Sequence, residues 1–271
     1  MKKLIFVLCL LGLLTTLPAA SAYAQLAAPN STGVSMGHVH LIVQDLDAAM
    51  AFWTAMGGVH FQMGPNEGFK FPGVIIFCRK GDQAQPSVGS VVGHIGFHVP
   101  DTTAALARWK TAGLKTEVGQ NPGQGFVWTP DSMIRVEILE DKAQTVPVAF
   151  HHVHFYVSDP SGTTVKEMQS WYAKMFGAIP GKRGAFDAAD IPGANLTFTK
   201  SDTPTVPTKG RMLDHIGFEI NDLEGFVKKA EASGVKFDRP FTKMADYGIT
   251  LAFMTDPWGT YIELNEGLDK K

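Results

Sequence analysis

Four short runs in this chain follow one rule. They are His38 to Asp45, His94 to Asp101, His152 to Asp159 and His215 to Asp222. In each, a histidine opens the run, apolar residues stand at +1, +3 and +5, and an aspartate stands at +7. Apolar residues at alternate positions describe a strand with one packed face. The histidines then fall on the opposite face. A period of this kind sets the architecture before any other feature does.

The segment after each run is also repeated. The aspartate can cap a helix. Leu46, Ala49, Met50 and Trp53 then make a helical apolar stripe, as do Thr102, Ala105, Leu106 and Trp109. Val165, Met168, Tyr172 and Met175 make the third, and Leu223, Phe226, Val227 and Ala230 the fourth. A glycine ends each helix, at 57, 113, 177 and 234. Only the third unit is longer between histidine and glycine, with an insertion at Pro160 to Thr163. Further strands are expected at 69–80, 126–128, 134–139, 194–200, 249–254 and 261–264. Turns at Thr129-Pro130-Asp131-Ser132 and Asp256-Pro257-Trp258-Gly259 join the closing hairpins.

The fold class this predicts is α+β, with four βαβββ units. One unit cannot bury its own sheet, but two can wrap a cup floored by the histidine faces. Consecutive pairing gives a first domain at 37–140 and a second at 150–268. Residues 25–36 form an N-terminal arm, and 141–149, polar and proline-containing, form the linker.

Residues 1–24 read as a signal peptide. Lys2 and Lys3 precede an apolar run too short to span a bilayer, and Ala22-Tyr23-Ala24 offers a small-residue cleavage site. Cleavage after Ala24 implies a periplasmic or secreted protein with no membrane attachment afterwards. Cys9 leaves with the signal, so Cys78 has no partner and the core carries the stability. Hydrophobic residues make up 45% of the chain, enough for such a core. The formal net charge is −2, and no basic stripe suggests a nucleic-acid partner.

Of nine histidines, all but His60 lie in or beside the four first strands. One strand histidine is ordinarily structural. Seven on the inner faces of a repeat point to metal binding or proton transfer; the eighth, His151, has the parity of the packed face. Glu137 and Glu263 lie on the closing strands between apolar neighbours. A carboxylate turned inward needs a partner or a cation.

These motifs resemble the vicinal oxygen chelate superfamily, which includes glyoxalase I, extradiol dioxygenases, fosfomycin-resistance enzymes and bleomycin-binding proteins. Leu213-Asp214-His215 and Asp256 to Glu263 are similar to that family's opening and closing ligand strands, and the likeness runs from 37 to about 266. It implies one divalent ion (Fe2+, Mn2+, Zn2+ or Ni2+) per domain. The second domain would use His152, His215 and Glu263, and the first His38, His94 and Glu137. These choices take the first histidine of each close pair. Two histidines and one carboxylate leave positions open for substrate.

The first and third units end in Val74-Ile75-Ile76-Phe77 and Asn195-Leu196-Thr197-Phe198, without the acid of a glyoxalase I site. That favours three ligands, as in the dioxygenases. The dioxygenase pattern also expects a histidine and a tyrosine ahead of the last turn. Here Phe253 stands near the tyrosine's place, and Tyr247 is the nearest substitute. His154 is the candidate acid–base group in the second domain, His40 or His98 in the first. The implied function is an exported, metal-dependent enzyme acting on a small molecule with adjacent oxygens, with extradiol-like cleavage the leading chemistry. The alternatives are a glyoxalase I-like lyase or isomerase and a non-catalytic small-molecule binder.

Overall fold

The computed structural model describes residues 25–82, 85–158 and 164–271. The expected signal peptide, the Pro160–Thr163 insertion and the third repeat's Asp159 lie outside the described residues.

Each repeat folds as βαβββ. The first unit is β1 (Val34–Val43), α1 (Leu46–Met56), β2 (Val59–Met63), β3 (Asn66–Phe71) and β4 (Val74–Lys80). The second is β5 (Val92–Val99), α2 (Thr102–Thr111), β6 (Lys115–Val118), β7 (Gln124–Trp128) and β8 (Arg135–Glu140). The third is β9 (Ala149–Ser158), α3 (Thr164–Phe176), β10 (Ile179–Arg183), β11 (Phe186–Ile191) and β12 (Ala194–Ser201). The fourth is β13 (Leu213–Ile220), α4 (Leu223–Ala232), β14 (Phe237–Met244), β15 (Ile249–Thr255) and β16 (Tyr261–Glu266). The first strand after each helix was not shown by periodicity, and neither was β11.

The helices begin where the repeat puts them. The Asp45, Asp101 and Asp222 carboxylates accept from Ala48, Ala104 and Gly225 amides at 2.9–3.0 Å. Each cap satisfies one amide that the first turn leaves free. Gly57 ends α1 at φ +107°, a conformation open to glycine and costly for other residues.

The units pair differently from chain order. One sheet runs β14-β15-β16-β13-β1-β4-β3-β2, joining the fourth unit to the first; the other runs β10-β11-β12-β9-β5-β8-β7-β6, joining the third to the second. The seams are the antiparallel pairs β1–β13 and β5–β9. The first and second units touch back to back, as do the third and fourth. Trp53 of α1 and Phe71 meet Phe97 of β5. Phe176 of α3 meets Phe218 of β13, and the Tyr172 hydroxyl donates to Asp256 at 2.9 Å. The residues at +1, +3 and +5 therefore join neighbours in sequence through their apolar faces. The histidine faces look the other way, into one cup shared by the first and fourth units and another shared by the second and third. This replaces the expectation that 37–140 and 150–268 each enclose one cup. Among the described residues no helix is long and apolar enough to cross a membrane.

Candidate metal centre

Two clusters of four donors lie on the cup floors. The first gathers His38, His40, His215 and Glu263, and the second His94, Glu137, His152 and His154. The six residues expected as ligands are all in these clusters, but two sets are exchanged. His38 joins His215 and Glu263 rather than His94, and His152 joins His94 and Glu137 rather than His215. The cause is the seam. His40 lies opposite His215 in the β1–β13 ladder, and His154 opposite His94 in the β5–β9 ladder.

Strand irregularity aims the rings. The ladder skips Gly37 before His38, Gly93 before His94, His151 before His152 and Asp214 before His215. Each is the extra residue of a bulge, which bends a strand and redirects the next side chain. Across each seam the residue facing the first histidine is glycine. A Cβ on Gly217 would lie 2.0 Å from the His38 ring, and one on Gly96 2.0 Å from the His152 ring. The imidazoles fill the space that those glycines leave.

In the first cup, Glu263 Oε2 lies 2.9 Å from His215 Nε2 and 3.3 Å from His38 Nε2. Both His38 nitrogens are nevertheless buried without a hydrogen-bond partner, as is His40 Nε2. The His38 ring approaches the carboxylate without pointing a proton at it. Groups that bond a common ion at ~2.1 Å and near right angles stand about 3 Å apart, which matches this convergence. Asn265 Nδ2 donates to Glu263 Oε1 at 2.7 Å and leaves Oε2 for the cluster. Asp214 Oδ2 lies 2.6 Å from His215 Nδ1 and fixes that ring. Burial lowers His38 and His40, which stay neutral. Burial acts the same way on His215, but the Asp214 and Glu263 carboxylates outweigh it and hold His215 up. Burial would raise Glu263; its two imidazole neighbours instead hold it well below the carboxylate range. An ion would account for the orphaned His38 and His40 nitrogens, with His215 binding it as the neutral imidazole while Asp214 accepts from Nδ1.

A cavity of about 670 Å³ opens on this cluster. Phe77, Leu251, Phe253 and Tyr261 give it apolar walls, and Tyr247 lies on its rim. Arg79, Lys209 and Arg239 also line it, and no carboxylate pairs with them among the described residues.

The second cup has the same core and a different filling. Glu137 Oε2 lies 3.0 Å from His152 Nε2 and 3.3 Å from His94 Nε2, and Gln124 Nε2 donates to Oε1 at 2.5 Å. His154 Nε2 bonds Thr199 Oγ1 at 2.7 Å, and its Nδ1 lies 3.2 Å from His94 Nε2. Arg183 Nη1 comes within 3.8 Å of Glu137 Oε2, and Nη2 within 3.4 Å of His154 Nδ1. The Tyr156 ring stacks on His154 at 4.8 Å. Burial lowers His154 to about 2.

His154 and Tyr247 therefore serve different cups and cannot act on one substrate. His98 lies outside both clusters. It stacks on the bulged His151 at 3.8 Å and faces Asp141. Asp214, Asn265, Gln124 and Arg183 were not singled out by the sequence. Asp214 was signalled by its place just before His215, and Asn265 by sharing a face with Glu263.

A sequence-family model described as Glyoxalase/Bleomycin resistance protein/Dioxygenase superfamily matches residues 149–264. No curated protein matches the chain by sequence. Glyoxalase I from Zea mays is similar in structure, with a TM-score of 0.67 and 17% identity over 88% of this chain and 94% of that one. A putative dioxygenase from Bacillus subtilis subsp. subtilis str. 168 gives 0.63 and 16% identity over 90% and 86%.

Proposed function

We propose, for a chain that belongs to the vicinal oxygen chelate (glyoxalase/bleomycin resistance protein/dioxygenase) superfamily, that the first cup is the active site of an exported enzyme dependent on a divalent metal. Its substrate is a small molecule with two adjacent oxygens. The observation that carries this reading is the convergence of His38, His215 and Glu263 on the floor of an open cavity.

Those three residues would hold the ion, which when bound acts as a Lewis acid towards the substrate's two oxygens. Asp214 and Asn265 keep His215 and Glu263 in place. His40, neutral and with Nε2 unpartnered, can accept a hydrogen bond from a substrate hydroxyl. Phe77, Phe253 and Tyr261 offer flat apolar walls to a ring, and Tyr247 brings a hydroxyl to the rim. Extradiol-like ring cleavage suits a site of two histidines and one carboxylate. A glyoxalase I-like isomerisation is the second reading, supported by His40 as a fourth donor. A third role, small-molecule binding without catalysis, needs no ion. Export rests on the signal-like residues 1–24, with cleavage after Ala24.

Metal analysis of the purified mature protein, then reconstitution with Fe2+, Mn2+, Zn2+ and Ni2+, tests the reading. Oxygen uptake on a catechol panel, beside a hemithioacetal assay, separates the two reactions. Bound metal lost on Glu263→Gln, with activity, is the expected result. A metal-free protein that binds small molecules unchanged would overturn both enzyme readings in favour of the binder.

A further inference from the structure

We propose that Arg183 is the second cup's own cation, so that the chain binds one divalent ion, in the first cup, and not two.

The two cups correspond strand for strand. β2 and β10 each have five residues, lead through a two-residue turn into a six-residue strand, and end at the rim of their cup. Met63 and Arg183 are their corresponding last residues. The ladders fix a second correspondence. Phe77 lies beside His40 across β1–β4, and Thr197 lies beside His154 across β9–β12. In the first cup this pair is Met63 and Phe77, both apolar, and both line the cavity. In the second it is a guanidinium and its anchor. Arg183 Nε donates to Thr197 Oγ1 at 2.8 Å, and Thr197 donates to Asn195 Oδ1 at 2.7 Å.

That anchor turns the rest of the guanidinium onto the donors. Arg183 Nη1 faces Glu137 Oε2, the oxygen shared by His94 and His152. Its Nη2 supplies a donor to His154 Nδ1, whose other nitrogen bonds Thr199. A guanidinium never gives up its charge in a protein, so a fixed positive charge stands 3.8 Å from Glu137 Oε2. A dication bonded to Glu137 Oε2 would be repelled by that charge. The orphaned nitrogens agree. Three imidazole nitrogens lack partners in the first cup, but in the second only His152 Nε2 does among the described residues. The donor set is intact, and a fixed positive charge stands in for the ion.

Metal content per chain tests this. The protein is loaded with excess Mn2+ or Zn2+, desalted and measured by elemental analysis. The wild type should hold one ion, kept by Glu137→Gln and lost by Glu263→Gln. Arg183→Met, which copies the first cup, should raise the content to two, and adding Glu137→Gln should return it to one. Arg183→Gln gives the same reading with a smaller change of shape should the methionine variant fail to fold. The proposal is overturned if Glu137→Gln removes metal from the wild type, or if both folded Arg183 variants keep the wild-type content. Its failure is distinct from that of the active-site reading. A wild type without metal would sink that reading and with it the ion in the first cup, while a gain of one ion on removing Arg183 would still identify Arg183 as the second cup's cation.

Discussion

The two cups share a backbone plan down to their irregularities. Both have bulges ahead of the clustered histidines, a glycine under one ring, and an amide donor on the outer oxygen of the glutamate. They differ in residues that carry no ligand. The first is walled by Met63, Phe77 and Leu251; the second is filled by Arg183, Thr197 and Gln124. Even the amide donors are exchanged. Asn265 comes from the glutamate's own strand in the first cup, whereas Gln124 comes from the neighbouring strand in the second. The repeat supplies donor geometry twice. Charge and access are set by the outer strands, which vary independently of it.

The sharpest way to break this comparison is to remove each glutamate. Glu263→Gln should weaken metal binding by more than ~100-fold, because it deletes a ligand rather than a supporting group. Glu137→Gln should leave metal affinity unchanged in a competition titration. Equal losses would make the cups equivalent.

The next effect contrasts Glu219 with His98, which take the same place in β13 and β5. Burial pushes Glu219 up to about 8, with Asp269 adding to the rise against the pull of the Gly267 amide. Its folded pKa exceeds its unfolded one. The stability it contributes is therefore full below about 4.5 and is lost as pH rises through about 8. His98 is lowered by burial, so its contribution is lost as pH falls below about 6.5. Stability in chemical denaturation should drop as pH rises from 7 to 9, above the range in which the lowered histidines act, by an amount on the order of 1 kcal/mol. Glu219→Gln should flatten that slope, and His98→Gln should leave it in place.

Asp214 has Gly93 as its counterpart, where a Cβ would meet the Tyr156 ring at 2.5 Å. Asp214→Asn should cost about 10–100-fold in metal affinity, as loss of an orienting carboxylate does. Isothermal titration checks it, and an unchanged affinity would mean that Asp214 only anchors the Gly210 amide. The smallest effect should be the same in both sheets. Asp45→Ala and Asp101→Ala should each cost about 1 kcal/mol by chemical denaturation, because each removes one cap. A large difference between them would show that the helices are not equivalent supports.

Much of this was legible in the sequence because it is local. Strand alternation, helix stripes, capping aspartates and the closing turns depend on neighbours a few residues away. The six donors were legible too, as residues of one parity on strands with one packed face. Their grouping was not, because all four runs have the same pattern and nothing within a run says which other run lies opposite. That choice is made by apolar back faces such as Phe176 against Phe218, which place the third and fourth units back to back. Strict alternation misplaces His151 for a related reason. Parity holds only while a ladder is regular, and the bulge at 151 brings its ring alongside His98. Arg183 escapes notice because Ile-Pro-Gly-Lys-Arg has neither alternation nor motif. Only its alignment with Met63 marks it.

The seam between β1 and β13 has a consequence for how the protein comes into being. His38 lies on the first described strand and Glu263 on the last, with the whole second sheet encoded between them. The loop closed by the β1–β13 pairing is long, so its closure costs more entropy than that of a local pairing. A nascent or truncated chain that lacks its last strand can complete the Arg183-filled cup but not the open one. On the proposed reading, a chain without β16 lacks Glu263 and would not assemble the donor set of the first cup.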